Sequence, residues 1–375
     1  MCYIKGMEEK KTRRRELYPT TVFTKEVIES VLVIDPSLDL DLLNNIALKK
    51  RPERSLEGNL NHFTKKDLLE LGEDLGLQIP SSQKKGEVVQ AVAQQIEGEF
   101  SKLLPYFPVK NLEFLARFRG KGSVKINPNK LSFHDISHLQ NFGFIFLYKG
   151  GSAFTLVTPT ELIDKLEILS DLNFWKGAEL NQRIDAYAIA LTNLYGVLDI
   201  DQFAIVWNRF ESETLTPAMI QDELHALGRV QYYWWILDEL VISSYFKSID
   251  EVELFLDNVK QVAYYAPSRE DLITYFKTPY DDQSPAASAM IEFLSGYRLP
   301  AGEQIEELMG EISDACIMGE RMQDVFNLLN EYGLLFNEME EIDRFTELFA
   351  QMNQSCRKWE LRGHLPETAK KGKTS

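Results

Sequence analysis

The chain has 375 residues, of which 44% are hydrophobic and 26% are charged, with 14 prolines and 21 glycines. This composition excludes a disordered or collagen-like chain, and the length suggests about two to four folded domains. The formal net charge of −16 excludes general nucleic-acid binding, because the chain as a whole repels polyphosphate.

Targeting and redox signals are absent from the sequence. No apolar run approaches the roughly 18–20 residues that a membrane span needs, and the basic start from Lys10 to Arg15 is not followed by the apolar stretch of a signal peptide. We therefore expect a cytoplasmic protein with no membrane partner. Cys2, Cys316 and Cys356 lie far apart in the sequence, so neither a disulfide framework nor a zinc finger is predicted.

The charge is unevenly distributed. Residues 1–130 hold 22 Lys and Arg against 18 Asp and Glu (+4), and the remainder holds 19 against 39 (−20). Any nucleic-acid contact would therefore be local and N-terminal, whereas the long acidic part is typical of a solvated or protein-facing surface. Residues 1–57 are predicted to form a basic arm followed by short helices. We interpret Lys10, Lys11 and Arg13 to Arg15 as a solvated terminus, with contact to nucleic acid as the alternative.

Residues 58–98 have the pattern of a helix, an extended segment and a second helix. Thr64 and Asp67 form a T-x-x-D capping box, Gly76 marks the end of the first helix, and Ser82 precedes the second. The segment FTKKDLLELGEDLGLQIPSSQKKGEVVQAV resembles the SAP-like, Rho-terminator N-terminal class of modules. That resemblance implies nucleic-acid binding, which many members of the class share.

Two lysine pairs, Lys65/Lys66 and Lys84/Lys85, stand at the predicted helix starts, where backbone N–H groups also favour phosphate. They are the candidate nucleic-acid-binding residues. The acidic residues around them favour the alternative, which is structural or protein-docking use of the module. These acidic residues are Asp67, Glu70, Glu73, Asp74 and Glu87.

Residues 99–172 and 173–247 repeat one order of elements, helices followed by a β-hairpin, and both resemble a winged helix–turn–helix unit. The first hairpin is predicted at 144–158 around Gly150-Gly151, and the second at 230–246. Helices are predicted at 111–119, from Ser132 to about 141, after Pro159, at 179–195, at 200–210 and at 217–227 with Thr216 as N-cap.

The helices placed to read DNA lack positive charge. SFHDISHLQNF carries Asp135, PAMIQDELHAL carries Asp222 and Glu223, and neither contains Lys or Arg. Base readout needs hydrogen-bond donors and positive charge near phosphate, so these helices favour protein docking.

The second hairpin is apolar on both alternating faces. Either the neighbouring helical region covers the second face, or that face is a partner surface, with Tyr233 and Trp235 as candidate partner-binding residues. The two faces are Tyr232, Trp234 and Ile236, and Tyr233, Trp235 and Leu237.

Residues 248–358 are predicted to form a helical bundle, and residues 359–375 a tail. The motifs YYAPSREDLITYF (264–276) and WELRGHLP (359–366) resemble a group of bacterial proteins that combine a Rho-like N-terminal module with helical and winged-helix-like regions. In some members a Cys-rich SEC-C zinc motif follows the Arg-Gly-His-x-Pro sequence. Here ETAKKGKTS follows without those cysteines, so no zinc role carries over.

No catalytic, metal or cofactor site is predicted. His134 and His138 have the spacing of a metal pair but no third ligand nearby, and we interpret them as surface or capping residues. Arg362 and His364 are interpreted as residues that anchor the C-terminal strand or tail, with anion binding as the alternative, and Cys356 lacks the surroundings of a nucleophile.

The sequence thus predicts a mostly α, multi-domain chain with a SAP-like module, two winged-helix-like units with small β-hairpins and a C-terminal helical bundle. We expect a non-enzymatic cytoplasmic adaptor or regulatory protein that binds another protein. The alternatives are a regulator that binds DNA or RNA through the SAP-like module, and an enzyme with a dispersed site.

Overall fold

The computed structural model describes residues 21–31, 36–151, 153–297, 299 and 305–367. These residues form 17 α-helices and two small antiparallel sheets of three strands each, so the protein is mostly α-helical and multi-domain, as predicted. The predicted basic run from Lys10 to Arg15 lies outside the described residues.

The first nine helices lie between residues 25 and 195. They are α1 Lys25–Glu29, α2 Pro36–Ile46, α3 Leu56–Leu60, α4 Lys65–Asp74, α5 Lys85–Leu103, α6 Val109–Ala116, α7 Phe133–Asn141, α8 Thr160–Ile163 and α9 Leu172–Tyr195. The other eight are α10 Ile200–Phe210, α11 Pro217–Leu227, α12 Ile249–Val259, α13 Arg269–Lys277, α14 Pro285–Leu294, α15 Ile305–Met318, α16 Met322–Glu331 and α17 Met339–Ser355.

Side-chain caps set several helix starts. In α4, Asp67 N–H donates to Thr64 Oγ1 at 3.2 Å, and Thr64 N–H donates to Asp67 Oδ2 at 2.9 Å, which confirms the predicted capping box. The predicted N-cap Thr216 of α11 is also confirmed, because its hydroxyl accepts a hydrogen bond from Met219 N–H. Helix α5 begins at Lys85 rather than directly after Ser82, because Lys84 N–H donates to the Glu87 carboxylate at 3.0 Å.

Both predicted hairpins are confirmed, and each is joined by a third strand that the sequence did not indicate. The strands are β1 Ser123–Ile126, β2 Phe146–Gly150, β3 Ala153–Val157, β4 Val197–Asp199, β5 Trp234–Leu237 and β6 Leu240–Ser243. Their order is β1-β3-β2 in the first sheet and β4-β6-β5 in the second, so the returning hairpin strand is central in both.

Three large hydrophobic cores hold these elements. The first contains side chains from Leu43 to Ala178 together with Val230, and it includes both the segment 58–98 and the first hairpin unit. The second joins Val22 and Phe23 to side chains between residues 184 and 276, and the third lies within the bundle between residues 287 and 352. Since one core serves the SAP-like segment and its neighbour, the predicted limit at residue 98 stays a prediction.

A turn after α17 packs Trp359 against several distant parts of the chain. Trp359 is 4% exposed, its indole N–H donates to the carbonyl of Asn193 at 2.9 Å, and its ring stacks on Phe246 at 5.6 Å. Its backbone N–H donates to the carbonyl of Ile317 in α15. The backbone at Gly196, with φ +73°, passes so close to this ring that a Cβ there would lie 2.6 Å from Trp359 Cδ2.

We expect Gly196→Ala to lower the free energy of unfolding by about 2–3 kcal/mol more than Gly151→Ala does. Both glycines have positive φ, but a Cβ on Gly151 would meet nothing within 4 Å, so that variant reports only the backbone penalty of about 1 kcal/mol. Chemical denaturation of the three proteins measures the difference. Equal losses would show that the Trp359 ring is not held against Gly196.

Candidate functional site

The four candidate lysines lie at the neighbouring N-termini of α4 and α5. Lys65 Nζ donates to the carbonyl of Ser81 at 2.6 Å, and Lys85 Nζ donates to the carbonyl of Asn61 at 2.7 Å. Each lysine thus ties its own helix to the segment that precedes the other helix. Two of the four ammonium groups therefore take part in holding the module together.

The other two lysines are open to solvent. Lys66 and Lys84 are both exposed, and Lys66 Nζ lies 3.4 Å from the carboxylate of Glu70 one turn along the helix. An exposed pair of this kind contributes at most about 1 kcal/mol, so Lys66 is available to other anions. The structure thus brings the four lysines to one edge of the module.

Helix α7, the first candidate reading helix, is covered by other parts of the chain. Asp39 of α2 accepts a hydrogen bond from Phe133 N–H at 2.6 Å, and Asn111 of α6 donates to the carbonyl of His134 at 2.5 Å. No residue from 133 to 140 is exposed. This helix therefore has no free face that could enter a groove of DNA.

Helix α11, the second candidate, is open on one side but acidic. Met219 is 49% exposed, and Asp222 and His225 are exposed beside it. Glu223 is turned toward Tyr106, where burial and this carboxylate raise the pKa of the tyrosine to about 12. The exposed face offers apolar and negative groups and no lysine or arginine.

The second hairpin divides its aromatic side chains between the interior and solvent. Trp234 is 2% exposed, and its indole N–H donates to Asp185 Oδ1 at 2.9 Å. Burial raises the pKa of Asp185 to about 6, although the tryptophan hydrogen bond favours the carboxylate. Trp235 is half-buried in a small cluster with Val252 of α12, whereas Tyr233 is 68% exposed. A following helix therefore covers the face of Trp235, and Tyr233 stands free.

The two histidines of α7 have different surroundings. His138 contacts the ring of Phe107 at 4.8 Å and that of Phe142 at 5.4 Å, and its Nε2 has no hydrogen-bond partner among the described residues. Burial lowers the pKa of His138 to about 4, so the ring is neutral at pH 7. Burial and Lys110 also lower the pKa of His134.

The two distinctive motifs of the C-terminal half lie in contact. Arg362 is 7% exposed and donates to the carbonyl of Val197 at 2.9 Å and to the hydroxyl of Tyr264 at 2.7 Å. Arg357 lies over the ring of Tyr265 and donates to Asp271 Oδ1 at 3.0 Å. Both arginine side chains therefore anchor the turn that follows α17.

Two thiols that the sequence leaves far apart come together in the bundle. Cys316 of α15 and Cys356 share a side-chain hydrogen bond, which lowers the pKa of Cys356 and raises that of Cys316. Lys358, only 4% exposed, donates to the carbonyl of Cys316 and to Asn353 Oδ1. Sequence reasoning missed this contact because nothing in either segment marks the other as its neighbour.

Within the described ranges, His, Cys, Asp and Glu side chains form no group of three or more with the arrangement of metal ligands. Among the helices that are described, none has both the length and the apolar character to cross a bilayer.

We expect Trp234→Ala to lower the free energy of unfolding by about 3–5 kcal/mol, because it empties a buried indole site and removes the donor to Asp185. Tyr233→Ala is the matched control one residue away, and its side chain is mostly in solvent, so it should change stability by no more than about 0.5 kcal/mol. Urea unfolding of both variants tests this. Similar effects in the two proteins would contradict the placement of the hairpin.

We also expect the burial of His138 to make stability depend on pH. The pKa in the folded state, about 4, lies below the ordinary value of 6.5, so the neutral ring gives a stabilisation that is present above pH 6.5 and lost as pH falls toward 4. The full loss is about 3 kcal/mol. Unfolding free energies from pH 7 to 4.5 should fall less steeply in His138→Gln than in the wild type.

The exposed His225 provides the control for this measurement. His225→Gln should keep the pH slope of the wild type. A wild-type slope in His138→Gln as well would show that His138 is not buried as a neutral ring.

Comparisons with protein-family models, with curated proteins and with solved structures found no match to this chain.

Proposed function

We propose that this chain is a cytoplasmic, non-enzymatic adaptor or regulatory protein that acts by binding another protein. The proposal rests on the exposure and charge of the two helices whose positions correspond to DNA-reading helices. Helix α7 has no exposed residue from 133 to 140, and α11 exposes Met219 and Asp222 without any lysine or arginine. An apolar and acidic surface favours protein contact and repels phosphate.

The order of elements supports an interpretation of both units as winged-helix-like. In the second unit α9, β4, α10, α11, β5 and β6 follow one another, with β4 pairing to the returning hairpin strand. In the first unit a short 3₁₀ segment, Pro128–Lys130, stands where α10 stands in the second. The interpretation concerns architecture, and the charge of the helices then favours a protein partner over DNA.

The distribution of charge supports the adaptor over the nucleic-acid-binding alternative. Residues 1–20 hold 6 Lys and Arg against 3 Asp and Glu, so residues 21–130 hold 16 against 15, a net charge of only +1. The SAP-like module thus lacks the broad positive field of a nucleic-acid-binding surface. Its lysines Lys65 and Lys85 also make the structural hydrogen bonds described above.

Membership of the bacterial group suggested by the sequence motifs remains part of this proposal. Its support is that the two quoted motifs meet, through the hydroxyl of Tyr264 with the Arg362 side chain and through Tyr265 N–H with the carbonyl of Arg362. Segments that pack on each other are expected to be retained together, as two halves of one structural feature.

The surface proposed for partner contact is the open side of the second unit. Tyr233 and Met219 supply exposed apolar area there, and Trp235, two residues after Tyr233, is half-buried against α12. In Met219→Glu and Tyr233→Ser, we expect the yield of chains that co-purify from the source cells to fall at least about tenfold, with unchanged melting temperature. Ile205→Ser, which also changes an exposed side chain, is the control for specificity.

The nucleic-acid alternative has its own test. The adaptor proposal predicts no gel shift of duplex DNA or single-stranded RNA even at low salt, where screening is weakest. If the module binds nucleic acid, about three phosphate contacts should give a log–log salt slope near −3, and Lys66→Glu/Lys84→Glu should weaken binding. Lys49→Glu/Lys50→Glu, at two exposed lysines outside the module, makes the same charge change.

Submicromolar binding at physiological salt that is lost in Lys66→Glu/Lys84→Glu and kept in Lys49→Glu/Lys50→Glu would overturn the adaptor proposal. Binding weakened equally by both double variants would mean only a response to net charge.

A further inference from the structure

The C-terminal bundle carries an open groove between α16, the segment after it and the start of α17. The groove has a volume of about 360 Å³, within the range of ligand pockets. Its apolar lining consists of Phe326, Leu329, Leu334, Leu335, Phe336 and Ile342. The two other lining residues, Gln323 and Asn330, are neutral amides, so no charged side chain faces the groove.

The floor of the groove is preformed by the fold. Phe336 lies 5.4 Å from the ring of Phe345 in α17 and 5.9 Å from that of Phe293 in α14, and this aromatic packing fixes its position. At the end of α16, Leu334 N–H donates to the carbonyl of Leu329 at 2.9 Å across Gly333, whose φ is +69°. This Schellman turn holds one wall in place.

One lip of the groove is hydrophobic and open to water. Leu335 is 65% exposed, although its neighbour Leu334 is 4% exposed, and Met339 at the first turn of α17 is 66% exposed. Large apolar side chains beside an apolar depression are typical of a surface that a partner covers.

The rim around this apolar floor is strongly acidic. Residues 321–347 contain seven Asp and Glu and only two basic residues. Both basic residues already pair within their own helix, Arg321 with Asp324 at 3.1 Å and Arg344 with Glu347 at 3.4 Å. Four further acidic side chains are exposed, namely Glu331, Glu338, Glu340 and Asp343.

We propose that this groove binds a basic amphipathic helix of a partner protein. Large apolar side chains spaced at i, i+3 or i+4, and i+7 would enter the groove, and flanking Lys or Arg would meet the acidic rim. The proposal rests on the adaptor function and names the chemistry of one partner. A second copy of this chain is a poor occupant, because each copy has a net charge of −16.

A synthetic helical peptide of leucine and lysine, labelled with a fluorophore, tests the groove by fluorescence anisotropy with the full chain. We expect salt-dependent binding of the amphipathic peptide. A scrambled peptide of the same composition, and a peptide with glutamate in place of lysine, should each bind at least about tenfold more weakly, because one has no continuous apolar face and the other is repelled by the rim.

Two variants of the chain localise the binding. Leu335→Ser removes an exposed leucine from the groove, and Leu254→Ser removes one that is 67% exposed on α12, so the two match in exposure and in chemical change. We expect about tenfold weaker binding in Leu335→Ser and no change in Leu254→Ser. Both substitutions leave the core intact, and equal melting temperatures should confirm this.

A charge pair tests the rim. Glu331→Lys/Asp343→Lys should weaken binding of the leucine–lysine peptide at low salt, with a smaller effect at 0.5 M salt, whereas Glu253→Lys/Asp257→Lys on α12 should have little effect. All four residues are exposed, and the two variants change the net charge equally.

The proposal is overturned if the peptide does not bind, if the groove and control variants behave alike, or if sedimentation shows that Leu335→Ser abolishes a dimer of the wild-type chain. In those cases, partner capture that still depends on Met219 and Tyr233 would leave the adaptor function standing. Loss of capture in those variants together with peptide binding at the groove would instead reject only the proposed surface of the second unit.

Discussion

The packing of Trp359 joins parts of the chain that are distant in sequence. Its indole donates to Asn193 at the end of α9, its ring covers Gly196 and stacks on Phe246 after the second hairpin, and its backbone donates to Ile317 of the bundle. Because one side chain contacts the second unit, the hairpin exit and the bundle, their relative positions depend on it. The open side of the second unit and the groove of the bundle are therefore held in a fixed relation.

Local chemistry made the helices predictable. A Thr or Ser hydroxyl followed three residues later by a carboxylate satisfies backbone groups at a helix start, and Thr64 does this as expected. The edge strands β1 and β4 were not predictable in this way. Each has only three or four residues, and its pairing is with β3 or β6 farther along the chain, so the stabilising contact is non-local.

The sequence predicted where the candidate residues lie, but it did not predict which groups their side chains contact. The sequence places Lys65 and Lys85 at helix starts, but their carbonyl partners lie in the segment that precedes the other helix and come close only after the chain folds. The groove was missed for a related reason. Leu334 and Leu335 are identical neighbours in an apolar pattern, and only the direction of the turn at Gly333 buries the first and exposes the second. The periodicity of apolar residues predicts which face of a helix or strand is buried. It does not predict which residues of a turn are buried.

The most distinctive residues of the chain are engaged with one another. Arg362 is linked to Asp199 through the hydroxyl of Tyr264, and Arg357 binds Asp271, so these side chains bind one another around the turn that follows α17. A buried cation that lost such partners would be costly, which explains why so many polar groups meet there. Side chains committed to this network are not free to meet a partner. The surfaces proposed for recognition consist instead of exposed apolar side chains among acidic neighbours. Such residues have a weak sequence signal, because their arrangement becomes visible only when the buried residues have been identified.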